Sequence, residues 1–385
     1  MIKLYDEDSY IFDFEAEVTE CCEVGGEYKI LLNRTAFFPT AGGQDCDTGV
    51  IDGERVIRVE IEDELVYHYT KVPFEVGKAV ACKIDREPRL RKMQHHTAEH
   101  IVSGIVHREL GLENVGFHLS DEEVTMDYDG AIPADKLMEI EALANRAVRD
   151  NIEITCQYPD EALLPQMEYR SKLDLTENVR IVTIPGVDVC ACCAPHVKRT
   201  GEIGVIKLKD MMSHRGGVRI TMICAGDAVS DYQKKHKIVA KISNLLSAKQ
   251  YEIADSVERV MGELEKAKQR CSELEKLLVS EKAKNIAETD GNICLFESDI
   301  SVDAMRALVN IGKGKCGGVC VGCLGCDKDG YTYIIGSNGC ELSGFARTIN
   351  EALQGRGGGR GDMISGKFTA TQKEIESYFE TFTLE

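Results

Sequence analysis

The sequence predicts an α+β protein in four parts: an N-terminal β barrel-like domain (1–86), an α+β metal-binding domain (87–226), a helical coiled-coil arm (227–288) and a C-terminal α/β domain (289–385). Three observations predict this. Short β-type runs separated by glycine turns fill the first part. Helical and strand-like patterns then alternate around a His-x3-His pair and a distant Cys-x3-His pair. A heptad-like apolar repeat separates both from a last segment of strand-like runs. With 385 residues, 43% of them hydrophobic, the chain has material for more than one core.

In the first part, runs such as Tyr28 to Leu32 and Val56 to Ile61 are broken at Val24-Gly25-Gly26 and at Asp52-Gly53. Packing short strands of this kind against one another gives a small barrel-like sheet. Within it, Phe37-Phe38-Pro39-Thr40-Ala41 leads to Gly42-Gly43-Gln44, a tight turn that presents an amide; an ordinary surface turn is the competing reading. In the second part, helical patterns run from Arg91 to Leu110 and from Pro133 to Asn151. Strand-like runs stand at Val124 to Tyr128, Val179 to Ile184 and Val205 to Leu208.

Ile253, Val257, Val260, Leu264, Ala267, Cys271, Leu274 and Leu278 alternate by four and three, the spacing of a heptad seam. Over about four heptads this reads as a helical hairpin or arm, with a homodimer contact as one use. An amphipathic helix packed on its own domain is the other reading. In the last part, an amphipathic stretch from Ser343 to Gln354 precedes a loop over Gly355 to Asp362, where five glycines surround Arg356 and Arg360.

Two motifs there fail on inspection. Cys316, Cys320, Cys323 and Cys326 suggest a metal cluster, but Cys320 and Cys323 face opposite sides of a strand; the run reads better as a buried strand with Tyr331 to Ile335 as its hairpin partner. Gly361 to Lys367 resembles a P-loop until Phe368 stands where the Mg²⁺-binding hydroxyl belongs.

The formal net charge of -19 opposes loose attachment to nucleic acid. Basic islands nevertheless flank the metal segments: Arg86, Arg89, Arg91 and Lys92 on one side, and Lys198, Arg199, Lys207, Lys209, Arg215 and Arg219 on the other. Sixteen cysteines scattered through a long chain without an export signal imply reduced thiols. No apolar run reaches the roughly 18 residues of a spanning helix, so a cytoplasmic protein without a membrane partner is expected.

His96 and His100 share one helix face, and Cys192 with His196 repeats the spacing. Three imidazoles and one thiolate suit Zn²⁺ better than Mg²⁺ or Ca²⁺. Four protein ligands ordinarily close a structural site, so a catalytic zinc here must expand its coordination, loosen a ligand or bind substrate rather than water. His96-Thr97-Ala98-Glu99-His100 also matches the H-x-x-E-H pattern of a zinc peptidase, in which Glu99 would activate water. That alternative needs a later carboxylate ligand and leaves Cys192 and His196 without a role.

Three stretches together resemble the editing domain of alanyl-tRNA synthetase: Phe38-Pro39 leading to Gly42-Gly43-Gln44 and Asp47-Thr48-Gly49, the His96 to His100 helix, and Cys192-x3-His196-Val197 followed by Thr200-Gly201-Glu202-Ile203-Gly204. The Gly357 to Met363 segment resembles the DHH-associated C-terminal domain of the same enzyme. With no aminoacylation domain read ahead of these segments, the pattern expected is that of the long-form free-standing alanyl-tRNA editing proteins.

The resemblance implies that His96, His100, Cys192 and His196 bind zinc and that tRNA(Ala) mischarged with serine or glycine is deacylated. It implies Gln44 and His118 as candidate catalytic residues, beside Glu99, a candidate from the H-x-x-E-H pattern, with Thr40, Gly42 and Gly43 at the substrate and Arg215, Arg219, Arg356, Arg360 and Lys367 toward tRNA; which group activates water stays open. Ala41 and Cys193-Ala194-Pro195 depart from the family's usual glycine-rich runs, and Cys190 and Cys193 stand as alternative thiolates. A noncatalytic tRNA-binding module is the remaining alternative.

Overall fold

The computed structural model describes residues 1–120, 124–160, 163–171 and 179–384. The chain forms two compact units, Met1–Ala240 and Lys241–Glu385, in a mixed α+β architecture.

The first unit opens with a seven-stranded sheet. Its order is Glu54–Val56, Gly49–Ile51, Ala79–Ile84, Asp13–Val24, Glu27–Leu32, Leu65–Thr70 and Arg58–Glu62. The two edge strands are consecutive in the chain and separated only by Ile57, so the sheet must curl until its edges meet. It is a barrel in all but one seam. The continuous strand expected over Val56 to Ile61 is therefore interrupted: Ile57 leaves the ladder register and donates its N–H to Tyr69 O at 2.8 Å. Val18, Ile30, Leu32, Phe37, Ile51, Val59, Val80 and Ile84 fill the interior.

His68 is buried in that interior. Its Nε2 lies 2.8 Å from Thr35 Oγ1 and its Nδ1 3.4 Å from Ile30 O. Burial pushes its pKa down to about 4. Since the unfolded chain takes up this proton near pH 6.5 and the folded chain does not until about pH 4, the unfolded state binds more protons in that window and stability falls as pH drops through it. The loss expected from His68 is roughly 3 kcal/mol. Urea melts between pH 7 and 4 should show it, and His68→Gln should flatten the dependence.

A 25-residue helix, Arg86–Leu110, follows the barrel. It begins five residues before the expected start because Pro88 falls in the first turn, where no backbone N–H is needed. It ends at Gly111, whose φ of 66° closes the last turn through an N–H bond to His107 O. Met93, Ile101, Val102 and Ile105 pack against Met126, Tyr128, Ile140, Ala144, Val182 and Ile220.

The helix is thus the central element of a second layer. Around it stand a four-stranded antiparallel sheet (Asn114–Leu119, Val124–Tyr128, Gly217–Cys224, Ile206–His214), a three-stranded one (Thr155–Gln157, Ile181–Ile184, Asp188–Ala191) and the helix Ala134–Arg149. Gly104 sits mid-helix, where glycine costs stability. A Cβ there would lie 2.5 Å from Val187 O, so its absence admits the turn that carries Asp188.

A helix Ala225–Leu246 runs across the division between the units. In the second unit, the helix Ile253–Lys284 carries the expected seam, but Val257, Val260, Leu264, Leu274 and Leu278 remain 39–54% exposed. Among the described residues its last turns are covered within the unit, where Val279 and Ala283, with Ile286 just beyond the helix, pack on Ala304 and Leu308. The sheet of this unit runs Ile293–Glu297, Val319–Cys326, Gly330–Ser337, Met363–Phe368 and Arg356–Arg360, with only the first pair parallel.

Cys320 and Cys323 are buried in separate clusters on opposite faces of their strand, and the strand pairs with Gly330–Ser337 as expected. The glycine-rich segment expected as a loop is instead a hairpin. Its strands Arg356–Arg360 and Met363–Phe368 pair, and Gly357 and Gly366 oppose each other beneath Tyr333. Asp362, in the turn, is paired with Lys313 at 2.6 Å. No helix among the described residues is long and apolar enough to cross a membrane.

Candidate metal centre

His96 and His100 project from one face of the Arg86–Leu110 helix, with ring centroids 5.6 Å apart. Cys192 and His196 come from the segment that follows the strand Asp188–Ala191. One donor atom from each of the four residues lies within 4.8 Å of all the others. The Nε2 atoms of His96 and His196 are each 3.5 Å from Cys192 Sγ. A tetrahedral zinc with Zn–N of about 2.05 Å and Zn–S of about 2.3 Å places neighbouring nitrogen and sulfur roughly 3.5 Å apart. The donor set and its spacing fit that ion.

Each imidazole is held by its other nitrogen. His96 Nδ1 lies 3.1 Å from Gln44 Oε1, His100 Nδ1 2.9 Å from Asp188 Oδ2, and His196 Nδ1 3.0 Å from Thr97 Oγ1. An amide oxygen and a carboxylate can only accept. Thr97 spends its own proton on Met93 O at 2.7 Å, so it too accepts from the ring. All three rings therefore carry hydrogen on Nδ1 and turn Nε2 inward, the arrangement a metal ligand requires.

Burial alone would raise the Cys192 thiol, but the imidazoles of His96, His100 and His196 outweigh it and hold the sulfur well below the ordinary thiol range. Burial likewise opposes charge on His100, yet Cys190, Asp188 and Cys192 together hold it well above the usual imidazole value. His196 is driven the other way, down to about 3, by burial. A thiolate is thus already favoured, and metal binding would release the proton that His100 retains.

Backbone geometry brings the glycine turn onto this cluster. Ala41 and Gln44 exchange N–H···O bonds of 3.2 and 3.1 Å, and Gly42 and Gly43 have φ of 62° and 77°. Two successive positive φ values make the turn a type I′ hairpin turn, which glycine accepts without strain. A Cβ on Gly42 would lie 3.7 Å from His96 Cε1; one on Gly43 would lie 2.4 Å from Phe117 O. Gly43→Ala is expected to cost about 2 kcal/mol or more in urea unfolding, against about 1 kcal/mol for Gly25→Ala, which shares the positive φ but faces open space. Equal costs for the two would contradict the close approach.

Two buried arginines fix the pieces. Arg89 Nε donates to Asp47 Oδ2 at 2.9 Å, and the same oxygen accepts Phe38 N–H at 2.7 Å, so the loop bearing the turn is tied to the helix bearing His96. Arg180 donates to Cys192 O at 3.0 Å and Ala194 O at 2.9 Å, setting the course of the second ligand segment.

The other candidates are distributed as follows. Gln44 is 1% exposed, and its Nε2 has no hydrogen-bond partner among the described residues. Thr40 is exposed, its Oγ1 accepting Cys46 N–H at 3.2 Å. Glu99 is buried beside the cluster: Oε1 accepts from Ser103 Oγ at 2.7 Å and Asn114 Nδ2 at 2.6 Å, while Oε2 is 3.9 Å from His100 Nε2. His118 is exposed, on the opposite face of its strand from Phe117, and it is the Phe117 ring that lies 4.8 Å from the His96 ring. Strand alternation thus turns His118 away from the cluster.

Of the three neighbouring thiols, Cys192 is the one in the four-residue group. Cys190 joins Asp188 and His100 in an adjoining group, and Cys193 is exposed. Arg215 stands in the turn before Gly217–Cys224 with φ of 46°, and Arg219 makes a bidentate pair with Asp127 at 2.6 and 2.7 Å. In the second unit, Arg356 lies directly opposite Lys367 in the hairpin, and Arg360 is at the far end of the Arg356 strand.

Asp188, Thr97 and Phe117 were not singled out from the sequence. A signal existed for the first: Asp188, Cys190 and Cys192 recur with the two-residue period that puts side chains on one strand face.

Residues 179–221 match the family model of the threonyl and alanyl tRNA synthetase second additional domain, and residues 7–88 match that of class II (A) tRNA synthetases. Among curated proteins, the chain is 30% identical to the alanine–tRNA ligases of Pyrococcus abyssi and Pyrococcus furiosus and 26% identical to that of Ignicoccus hospitalis, each over 97% of its length. It spans 42% of the length of those relatives. A crystal structure of the C-Ala domain from Aquifex aeolicus alanyl-tRNA synthetase aligns with 23% of this chain and 87% of its own, at 18% identity and a TM-score of 0.20, too slight to bear on the fold. The chain is thus similar to alanine–tRNA ligases over nearly all of its own length, and the match to the threonyl and alanyl tRNA synthetase second additional domain lies over the Cys192–His196 segment.

Proposed function

We propose that the chain is a zinc-dependent hydrolase acting in trans on the ester of tRNA(Ala) mischarged with serine or glycine. The observation that supports this most is the convergence of three inward Nε2 atoms and Cys192 Sγ beneath the Gly42-Gly43-Gln44 turn. His96, His100, Cys192 and His196 would hold the ion, which when bound supplies a Lewis acid able to orient the aminoacyl end and polarise its ester.

The remaining groups act around it. Gln44 keeps His96 in its binding tautomer through Oε1 and offers an unpartnered Nε2–H to a substrate acceptor. Thr40, Gly42 and Gly43 border the space for the amino acid side chain. Glu99, with one oxygen held by Ser103 and Asn114 and the other toward His100, is the nearby carboxylate able to take a proton. Arg215 and Arg219 would approach the acceptor end of tRNA, and Arg356, Arg360 and Lys367 would meet its backbone, where RNA is reached through charge and shape. The exposed seam of the Ile253–Lys284 helix would serve a homodimer, which sedimentation should report.

The chemistry explains why such an enzyme is needed. A synthetase pocket built for alanine rejects glycine, which is smaller, and serine, which adds only a hydroxyl, by modest factors, and a second hydrolytic site supplies the missing discrimination. Purified protein should release serine or glycine from charged tRNA(Ala) and spare Ala-tRNA(Ala). Tight binding without turnover would favour a binding module, and cleavage of peptides with indifference to the ester would favour the H-x-x-E-H reading.

A further inference from the structure

We infer that Arg170 and Asp188 form a positioning couple that sets the metal affinity of the centre through His100; the inference rests on the metal reading above. Of the three groups that hold ligand rings, Gln44 and Thr97 are neutral and only Asp188 is a carboxylate. It is buried, and its two oxygens are fully committed: Oδ1 accepts Arg170 Nε at 2.8 Å, while Oδ2 accepts both Arg170 Nη2 at 2.9 Å and His100 Nδ1 at 2.9 Å.

Arg170 is itself anchored by backbone to the strand that bears Asp188. Its N–H donates to Val189 O at 2.8 Å and its carbonyl accepts Ala191 N–H at 2.9 Å. This strand-like bridge holds the Arg170 backbone beside the strand, within side-chain reach of Asp188. Asp188 in turn reaches the Arg86–Leu110 helix because Gly104 leaves room: a Cβ there would lie 2.7 Å from Asp188 Cβ. Helix, strand and guanidinium thus converge on one carboxylate whose free direction is the ring of a metal ligand.

A carboxylate behind a ligating imidazole fixes the ring and increases its basicity toward the ion, and losing such a group typically lowers metal affinity about 10–100-fold. The arginine supplies what lets that carboxylate stay ionised in a buried place: a bidentate partner fitted to its geometry. Asparagine cannot substitute. It offers one acceptor where aspartate uses two oxygens: with its oxygen in the Oδ2 place it keeps His100 but sets an N–H against Arg170 Nε, and turned over it sets one against both His100 Nδ1 and Arg170 Nη2.

The test is zinc affinity measured by competition with a chromophoric chelator, together with the visible spectrum of the cobalt-loaded protein, on the full chain and on Asp188→Asn, Asp188→Ala and Arg170→Lys. Thermal melts of each metal-free variant report folding separately. The expected result is zinc affinity lowered about 10–100-fold in Asp188→Ala and by a smaller factor in Asp188→Asn, a changed cobalt ligand-field envelope in both, and partial retention in Arg170→Lys. Asp188→Asn, nearly isosteric, carries the test if the alanine variant does not fold. Folded variants with affinity within twofold of the parent and an unchanged cobalt spectrum would overturn the couple while leaving the metal centre standing. A parent chain that takes up neither zinc nor cobalt would overturn both.

Discussion

Cys192→Ala is expected to abolish serine release from Ser-tRNA(Ala), lowering kcat/KM by more than about 100-fold, while the chain stays folded. The sulfur is the one anionic donor of the four, and the three imidazoles together hold it as thiolate. Its loss should exceed the roughly 10–100-fold typical of groups that only support a ligand. The fold has little stake in the side chain, because the segment is set by main-chain contacts: Cys192 N–H donates to Arg180 O at 3.0 Å, and Arg180 holds Cys192 O and Ala194 O in return. Zinc content, thermal melting and deacylation measured on one preparation separate these effects. Cys193→Ala should retain metal, since that residue stands outside the cluster. Full activity in Cys192→Ala, or loss of zinc only in Cys193→Ala, would contradict the assignment.

Arg89→Met should produce the largest change in stability, a loss of about 3–5 kcal/mol in urea unfolding of the first unit. Arg89 and Asp47 are 1% exposed each, so removing the guanidinium leaves a carboxylate in an apolar setting without its charge partner. Methionine keeps most of the volume, which makes the expected loss one of charge rather than of a cavity. Asp47 also anchors Phe38 N–H, and Arg89 caps the carbonyls of Ser9 and Ala36, so the damage should extend to the loop that lays Gly42 and Gln44 on His96. The double variant Arg89→Met with Asp47→Leu should recover part of the loss, because no charge is then stranded. A single-variant cost under about 1 kcal/mol would show that this pair is not what ties the loop to the helix.

The chain shows which features a sequence discloses and which it withholds. The four residues that the fold brings together, His96, His100, Cys192 and His196, were legible because each pair obeys a local rule, four residues apart on a helix or a short segment, and because four donors of that kind are rare together. The barrel-like sheet was legible from runs such as Tyr28 to Leu32, and the cysteine strand from the opposed faces of Cys320 and Cys323. What escaped depended on contacts between distant segments. Nothing around Arg170 announces that its guanidinium meets Asp188, 18 residues on. His118 looked eligible beside Phe117, and only the pairing with Val124–Tyr128 decides which of the two neighbours turns toward His96. The Arg356–Arg360 segment read as a loop because glycine favours loops; its strand depends on the room beneath Tyr333, a residue of another strand.

X-ray absorption at the zinc edge tests the central claim most directly, because it counts the atoms around the ion. The account predicts a first shell of three nitrogens at about 2.0–2.1 Å and one sulfur at about 2.3 Å, with the sulfur contribution lost in Cys192→Ala. A shell of nitrogen and oxygen alone in the parent protein, or one that keeps its sulfur in that variant, would contradict it.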